Sequence, residues 1–355
     1  MNPQFWKGKT ILLTGHTGFK GGWMSLWLKK LGASVIGFSK DIPTKPSLFE
    51  ITNIGSEMTS IVDDVCNYYA LEKVMQEFKP QVVIHMAAQA ILRESYKNPT
   101  ETFVTNVMGT VNVLEAVRNT KFAKVVLNVT SDKCYELKDS SHSYVETDPM
   151  GGFDPYSSSK GCAELVTSSF RNSFFSVKEF EKHSVALATA RAGNVIGGGD
   201  WGTDRLIPDI MRSLIGKDSL TIRYPDATRP WQYVLDVING YTVLIENLWA
   251  NGQKFSEAWN FGPTNSEIKP VRWIVTKLME ILGHNLEVQY DTNVNPHETS
   301  YLSLDCSKAK SRLRWSSKLN LDESLKWTAE WYKHYKDGHN MTKFSQEQID
   351  RFIQL

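Results

Sequence analysis

The 355-residue chain has only four cysteines, Cys66, Cys134, Cys162 and Cys306, and no C-x-x-C pair among them. Thiols scattered this way exclude a disulfide framework and fit a reducing, cytoplasmic setting. There is no excess of either charge: Lys plus Arg number 40 and Asp plus Glu 39, a formal net charge of +1. A surface built for nucleic acid carries a strong basic excess, so no such partner is expected. No apolar run approaches the roughly 18 residues of a membrane span, so no membrane is expected either. The first apolar run, Ile11-Leu12-Leu13, is too short for a signal-peptide core and stops at Thr14-Gly15. Internal repeats and low-complexity stretches are missing too. What is there is an ordinary globular composition, 41% apolar and 22% charged. The length suits two domains, or one elaborated domain. The single excess is tryptophan, 11 residues, for which core, interface and ligand wall are all possible uses.

Short apolar runs at 10–14, 33–38, 81–86, 124–129 and 185–190 have strand length, and 54–62 holds a further one. Helical spacing separates them at 23–31, 67–78, 100–119 and 155–176. Apolar strands alternating with helices predict an α/β fold, a Rossmann-type doubly wound parallel sheet covered on both faces. After about residue 190 the rhythm breaks and prolines punctuate the chain. The expected division is a dinucleotide-binding domain at 1–190 plus about 232–262. A smaller, interleaved α/β domain takes about 191–231 plus 263–355.

Gly15, Gly18 and Gly21 form G-x-x-G-x-x-G directly after the first strand, with His16, Phe19 and Lys20 between them. Glycines let a backbone turn tightly and approach a pyrophosphate, and the helix that follows offers N–H donors and a positive dipole end. At the end of the second strand, Lys40 can meet a 2′-phosphate and Asp41 a ribose diol, so NAD and NADP both stay open. Tyr156 and Lys160 stand one helical turn apart, with Pro155 at the helix start. A lysine ammonium near a phenol favours the phenolate and lowers its pKa, which suits proton removal from a sugar hydroxyl. Ser131 and Asp132 lie at the carboxyl end of a strand, where ligands bind in such sheets. Ser131 can hydrogen-bond the same hydroxyl.

Six segments occur in one order: T-G-H-T-G-F-K-G, H-M-A-A-Q (85–89), T-N-V-M-G-T (105–110), T-S-D-K-C-Y (130–135), Y-S-S-S-K and R-A-G-N-V-I-G-G-G-D-W (191–201). Together with R-P-W-Q-Y-V-L-D (229–236) and H-E-T-S-Y-L-S-L-D (297–305), they resemble the extended short-chain dehydrogenase/reductases, specifically the nucleotide-sugar 4,6-dehydratases. The resemblance covers nearly the whole chain and is strongest to members that use CDP-glucose. It implies an enzyme that oxidises C4 with Tyr156 as base, eliminates water across C5 and C6, and returns the hydride to C6. It also implies NAD, a homodimer or tetramer formed through the helices at 100–119 and 155–176, and Asp132 as general acid. The position after Asp132 is often Glu in the family, the C5 base, but here it is Lys133. Lys133 is a base of lowered pKa, a cation that steadies the enolate, or simply a partner of Asp132.

His16 also departs from the family, where a small residue is usual. An imidazole there either crowds the cofactor or faces solvent, and the crowding case predicts that His16→Gly tightens cofactor binding. By resemblance Asp64 and Val65 reach the adenine, Ala87 and Ala88 permit close cofactor approach, and Asn106, near the catalytic loop, is a cofactor contact. Asn194, Arg205, Arg229, His297 and Glu298 resemble contacts to the nucleotide-diphosphosugar substrate. His85 reads as a core histidine. No metal is expected, because His297-Glu298 lacks the second histidine of H-E-x-x-H. The rival readings are a GDP-mannose or dTDP-glucose dehydratase, a UDP-sugar 4-epimerase, and a non-catalytic dinucleotide sensor.

Overall fold

The computed structural model of the chain describes residues 2–138, 142–216, 219–264, 267–284, 287–291 and 301–355. Seven strands make one parallel sheet: β1 (Thr10–Thr14), β2 (Ser34–Ser39), β3 (Thr59–Val62), β4 (Val82–His85), β5 (Val125–Val129), β6 (Ala186–Ala192) and β7 (Ala258–Phe261). Their order is 7-6-5-4-1-2-3. The order reverses between β1 and β4, so the crevice at their carboxyl ends is the topological switch point where ligands bind.

Side-chain alternation assigns each face. Ile11 and Leu13 join one apolar cluster, and Leu12 between them joins the other. Both faces are covered, which is why these strands read as unbroken apolar runs. Helices α1 (Phe19–Lys30) and α6 (Val234–Ala250) lie on the first face. On the second lie α2 (Tyr68–Phe78), α3 (Gly109–Thr120) and α4 (Pro155–Ser173). The start of α4 has a clear local cause: Asp154 accepts the Ser157 N–H, and Pro155 occupies the first turn.

Several boundaries differ from the sequence pattern. Ile54–Glu57 is a 3-10 turn, leaving only Thr59–Val62 as strand. A π-helical turn, Val104–Met108, interrupts the long helix before α3. β6 continues to Ala192, which carries Arg191 inside the sheet. α4 stops at Ser173.

Beyond the sheet, helix α5 (Leu206–Gly216) and three short strand pairs build a smaller part. Val195–Ile196 pairs with Gln232–Tyr233, Thr228–Pro230 with Ile268–Pro270, and Leu220–Ile222 with Val288–Tyr290. Helix α7 (Val271–Leu282) packs against α8 (Leu321–Lys336), and α9 (Met341–Gln354) returns over α1. The tryptophan excess belongs mainly to this core: Trp6, Trp23, Trp27, Trp259 and Trp331 are fully buried. Only Trp201 and Trp231 reach the cavity described next. No helix among the described residues is long and apolar enough to cross a membrane.

Candidate active site

A cavity of about 640 Å³ opens along the carboxyl ends of the strands. At one end lies the glycine loop, where each glycine has a separate reason. Gly15 has φ of 75°, and a Cβ on it would come 2.7 Å from the Ala87 nitrogen. Gly18 caps α1 with no side-chain hydrogen bond, leaving the first N–H groups of the helix facing the cavity mouth. A Cβ on Gly21 would lie 2.0 Å from the Gly15 carbonyl oxygen, so only hydrogen fits where helix meets loop. Bare N–H groups at the start of a 12-residue helix fit a pyrophosphate. Ala87, Ala88, Asp64 and Val65 line the same end, so this cradle suits a dinucleotide.

His16 behaves as neither sequence alternative expected. Its ring is fully buried, with Nε2 2.7 Å from Ser60 Oγ and Nδ1 2.8 Å from Ser39 Oγ. It fills the space above Gly37, where a Cβ would sit 2.3 Å from the ring. The imidazole therefore ties the loop to β2 and β3 and does not enter the cavity. Burial lowers its pKa to about 4, so it stays neutral.

Asn106 also stands back from the cavity. Its Oδ1 accepts the Gln89 N–H at 2.9 Å, and its Nδ2 donates to Gln89 O and Ser159 Oγ. It locks the loop after β4 onto α4, which corrects the expectation of a cofactor contact. His85 is the core histidine expected, placed between Thr14 Oγ1 at 2.7 Å and Thr110 Oγ1 at 3.3 Å.

The centre of the cavity gathers Ser131, Asp132, Lys133, Tyr156 and Lys160. A single 3-10 turn, Asp132–Cys134, brings both Asp132 and Lys133 to it. Ser131 Oγ donates to Asp132 Oδ1 at 3.1 Å and hydrogen-bonds the Tyr156 phenol. Asp132 Oδ2 is buried with no hydrogen-bond partner among the described residues. Burial raises the Asp132 pKa to about 6, against the pull of Lys133, the Ser131 hydrogen bond, Arg229 and Lys20. A carboxyl tuned this way keeps a protonated fraction close to neutral pH and can give that proton up.

Tyr156 runs against the sequence expectation. Burial pushes its phenol up to about 12, although Ser131 and Arg205 pull it back. Burial likewise lowers Lys160 to about 8, and the charge of Lys20 adds to that. Desolvation penalises both charged forms and is the largest cause of each shift.

Beyond the catalytic group, Asn194, Arg205 and Arg229 line the cavity. Asp200 holds Arg205, with both carboxylate oxygens 3.2 Å from Nη1. Sequence reasoning missed Asp200 as a residue of the site, although it sits in the quoted G-G-G-D-W segment. It also missed Asp204, which pairs with Arg223 at 2.7 Å on the cavity wall. No pattern flags Asp204, because the pair joins residues 19 apart. His297 and Glu298 lie outside the described residues. No cluster of metal-binding side chains occurs among the described residues.

A doubly wound sheet with a glycine loop at its switch point, and Ser, Tyr and Lys together at the strand ends, defines a short-chain dehydrogenase/reductase of the extended type. The GDP-mannose 4,6 dehydratase family model matches residues 12–328, and the chain belongs to that family of nucleotide-sugar dehydratases and epimerases. It is 48% identical over 353 residues to a CDP-glucose 4,6-dehydratase of Salmonella typhimurium, covering 99% of this chain and 98% of that one. It is 24% identical over 348 residues to a dTDP-glucose 4,6-dehydratase of Xanthomonas campestris pv. campestris, covering 91% and 93%. Among solved structures, the dTDP-glucose 4,6-dehydratase of Bacillus anthracis in complex with NAD superposes with a TM-score of 0.76. That match covers 94% of this chain and all of the other at 21% identity, and it bears on fold alone.

Proposed function

We propose that the protein is a CDP-glucose 4,6-dehydratase, a hydro-lyase that uses NAD to make CDP-4-keto-6-deoxyglucose. The observation that carries the reading is Asp132. A 4-epimerase only moves hydride off and onto C4, and has no need of an acid for a leaving group. Elimination needs one, and a buried carboxyl with a pKa raised to about 6 and an uncommitted oxygen is that acid. The CDP-glucose preference rests on the 48% identical relative. Lys40 supports NAD over NADP: it pairs with Asp64 at 3.6 Å and Glu101 at 3.3 Å, so the rim carries +1 − 2 = −1. A 2′-phosphate is disfavoured there by like charge.

Gly15, Gly18, Gly21, Ala87 and Ala88 would hold the dinucleotide, which when bound would supply reversible hydride transfer. This chain's own residues do the proton work. Tyr156, with Ser131 on its phenol, takes the C4 hydroxyl proton. Lys160 adds positive charge beside it and holds the ribose. The ketone at C4 acidifies the C5 proton, which we assign to Lys133. Asp132 gives its proton to the C6 hydroxyl as water leaves. Arg205, held by Asp200, and Arg229 meet the diphosphate through paired N–H donors, with Asn194 beside them.

The reading extends to an interleaved cofactor lobe and sugar-nucleotide lobe, a cytoplasmic setting and a homodimer. Phe103, Val104, Met108 and Leu165 are exposed on the helical stretch before α3 and on α4, as a helix-pair interface needs. The test is incubation with CDP-, dTDP-, UDP- and GDP-sugars, each with NAD or NADP. We expect a product lighter by one water from CDP-glucose with NAD. An isomer of unchanged mass, or turnover only with another nucleotide, overturns the reading.

A further inference from the structure

Glu164 lies one turn beyond Lys160 on α4, on the same helix face, and takes no part in the mechanism above. It is only 4% exposed, yet it meets two other segments, the loop after β5 and β6. Its Oε1 accepts from Thr130 Oγ1 at 2.5 Å, immediately before Ser131 and Asp132. Its Oε2 accepts from Thr189 Oγ1 at 2.9 Å and from Arg191 Nη2 at 2.7 Å, both on β6. Arg191 passes the connection on, donating from Nη1 to the Tyr135 hydroxyl at 2.8 Å, one residue past the Asp132–Cys134 turn. Tyr135 in turn donates to Asn260 Oδ1 on β7 at 2.6 Å. The carboxylate therefore sits at the one point where the Ser131-Asp132-Lys133 turn, the Tyr156-Lys160 helix and β6 meet. A buried charge pair is a costly way to fill a core, and hydrophobic replacements often do as well or better for stability.

We propose that Glu164 is a positioning residue for the dehydratase reaction: it holds the acid turn and the base helix in one register and stands one helical turn from Lys160 as its buried carboxylate counter-charge. The inference rests on the function proposed above.

The charged and titratable groups facing Lys160 are Lys20 from α1, His85 from β4, Cys134 from the acid turn, and Tyr156 and Glu164 on its own helix. His85 is neutral, with its pKa lowered to about 3 by burial and by Lys160 itself. The buried Cys134 thiol is raised well above its ordinary value, so it too is neutral. Lys20 repels the ammonium and Glu164 attracts it. Glu164 is thus the one carboxylate among these groups. Facing Glu164 are Arg191, which lowers its pKa, and Arg171, further along α4.

Two variants separate positioning from mere stability. Glu164→Gln removes the counter-charge and leaves Arg191 uncompensated; Glu164→Gln with Arg191→Met removes both charges. The readouts are the pH dependence of Lys160 acylation by acetic anhydride, followed by peptide mass, and kcat and KM with CDP-glucose. The thermal midpoint is read alongside. In Glu164→Gln we expect the Lys160 inflection to move down by about one pH unit. kcat should fall about tenfold or more while KM stays within about twofold. The double variant should recover much of the thermal midpoint but keep the displaced inflection. An inflection unmoved in both variants, with only the midpoint lowered, overturns the proposal. The acylation needs no turnover. A parent protein inactive on every nucleotide sugar would therefore sink the function while the Lys160 inflection still judged Glu164.

Discussion

Asp132 is the residue on which the chemistry turns, and its environment makes two measurable demands. Its pKa is raised from 3.8 to about 6 in the folded protein. Between those values the folded state binds more protons than the unfolded one, so stability falls as pH rises from about 4 to about 6. Removing the titration by Asp132→Asn removes that fall. Relative to the parent, the variant should gain up to about 3 kcal/mol between pH 4 and pH 8 in urea melts. A difference independent of pH would mean that the carboxyl is not held protonated. Its neighbour Lys133 is assigned to C5. In Lys133→Met, exchange of the C5 hydrogen with solvent should drop by at least about 100-fold. Undiminished exchange would leave Lys133 only an electrostatic role. His16 belongs to packing. His16→Gly removes a ring filling the space above Gly37 and leaves Ser39 and Ser60 without their partner. The thermal unfolding free energy should fall by about 2 kcal/mol or more. Tighter cofactor binding with no loss of stability would instead restore the idea that the imidazole crowds the cofactor.

At the scale of elements, strands were the most legible feature. β1, β4 and β5 are covered on both faces, so apolar runs mark them within a residue. β3 was harder because its residues are exposed or half-buried at the sheet edge, and no alternation marks where the preceding 3-10 turn ends. The glycine loop was legible because its spacing is a steric demand. Gly21→Ala sets a methyl against the Gly15 carbonyl, a backbone atom that cannot swing aside. We expect a folded protein whose dinucleotide affinity, measured by calorimetry, falls about tenfold or more; parent-like affinity would contradict the packing role given to Gly21. The Tyr156-Lys160 pair was readable for the same reason, since one helical turn fixes it. Glu164 continues that spacing, but its partners Thr130, Thr189 and Arg191 come from other strands. Sequence spacing carries no information about such contacts. The direction of the Tyr156 shift was misread for a related reason: a helix turn shows the lysine, but not the burial that outweighs it.

For the whole molecule, near-neutral net charge hides a strongly local arrangement. Lys20, Lys133, Lys160, Arg205 and Arg229 line one cavity around Asp132, as an anionic substrate requires. The proposed dimer belongs to this scale. Leu165→Glu places a charge in the exposed apolar strip of α4, and sedimentation should show a monomer where the parent is a dimer. A parent that sediments as a monomer would remove the assembly from the account. The central claim is that oxidation at C4, elimination and reduction at C6 occur in one site on one sugar. CDP-glucose carrying deuterium at C4, incubated with the protein and NAD, tests it directly. We expect a 4-keto-6-deoxy product lighter by one water, with the deuterium on C6 of the same molecule. Deuterium retained at C4, or a product of unchanged mass, would contradict it.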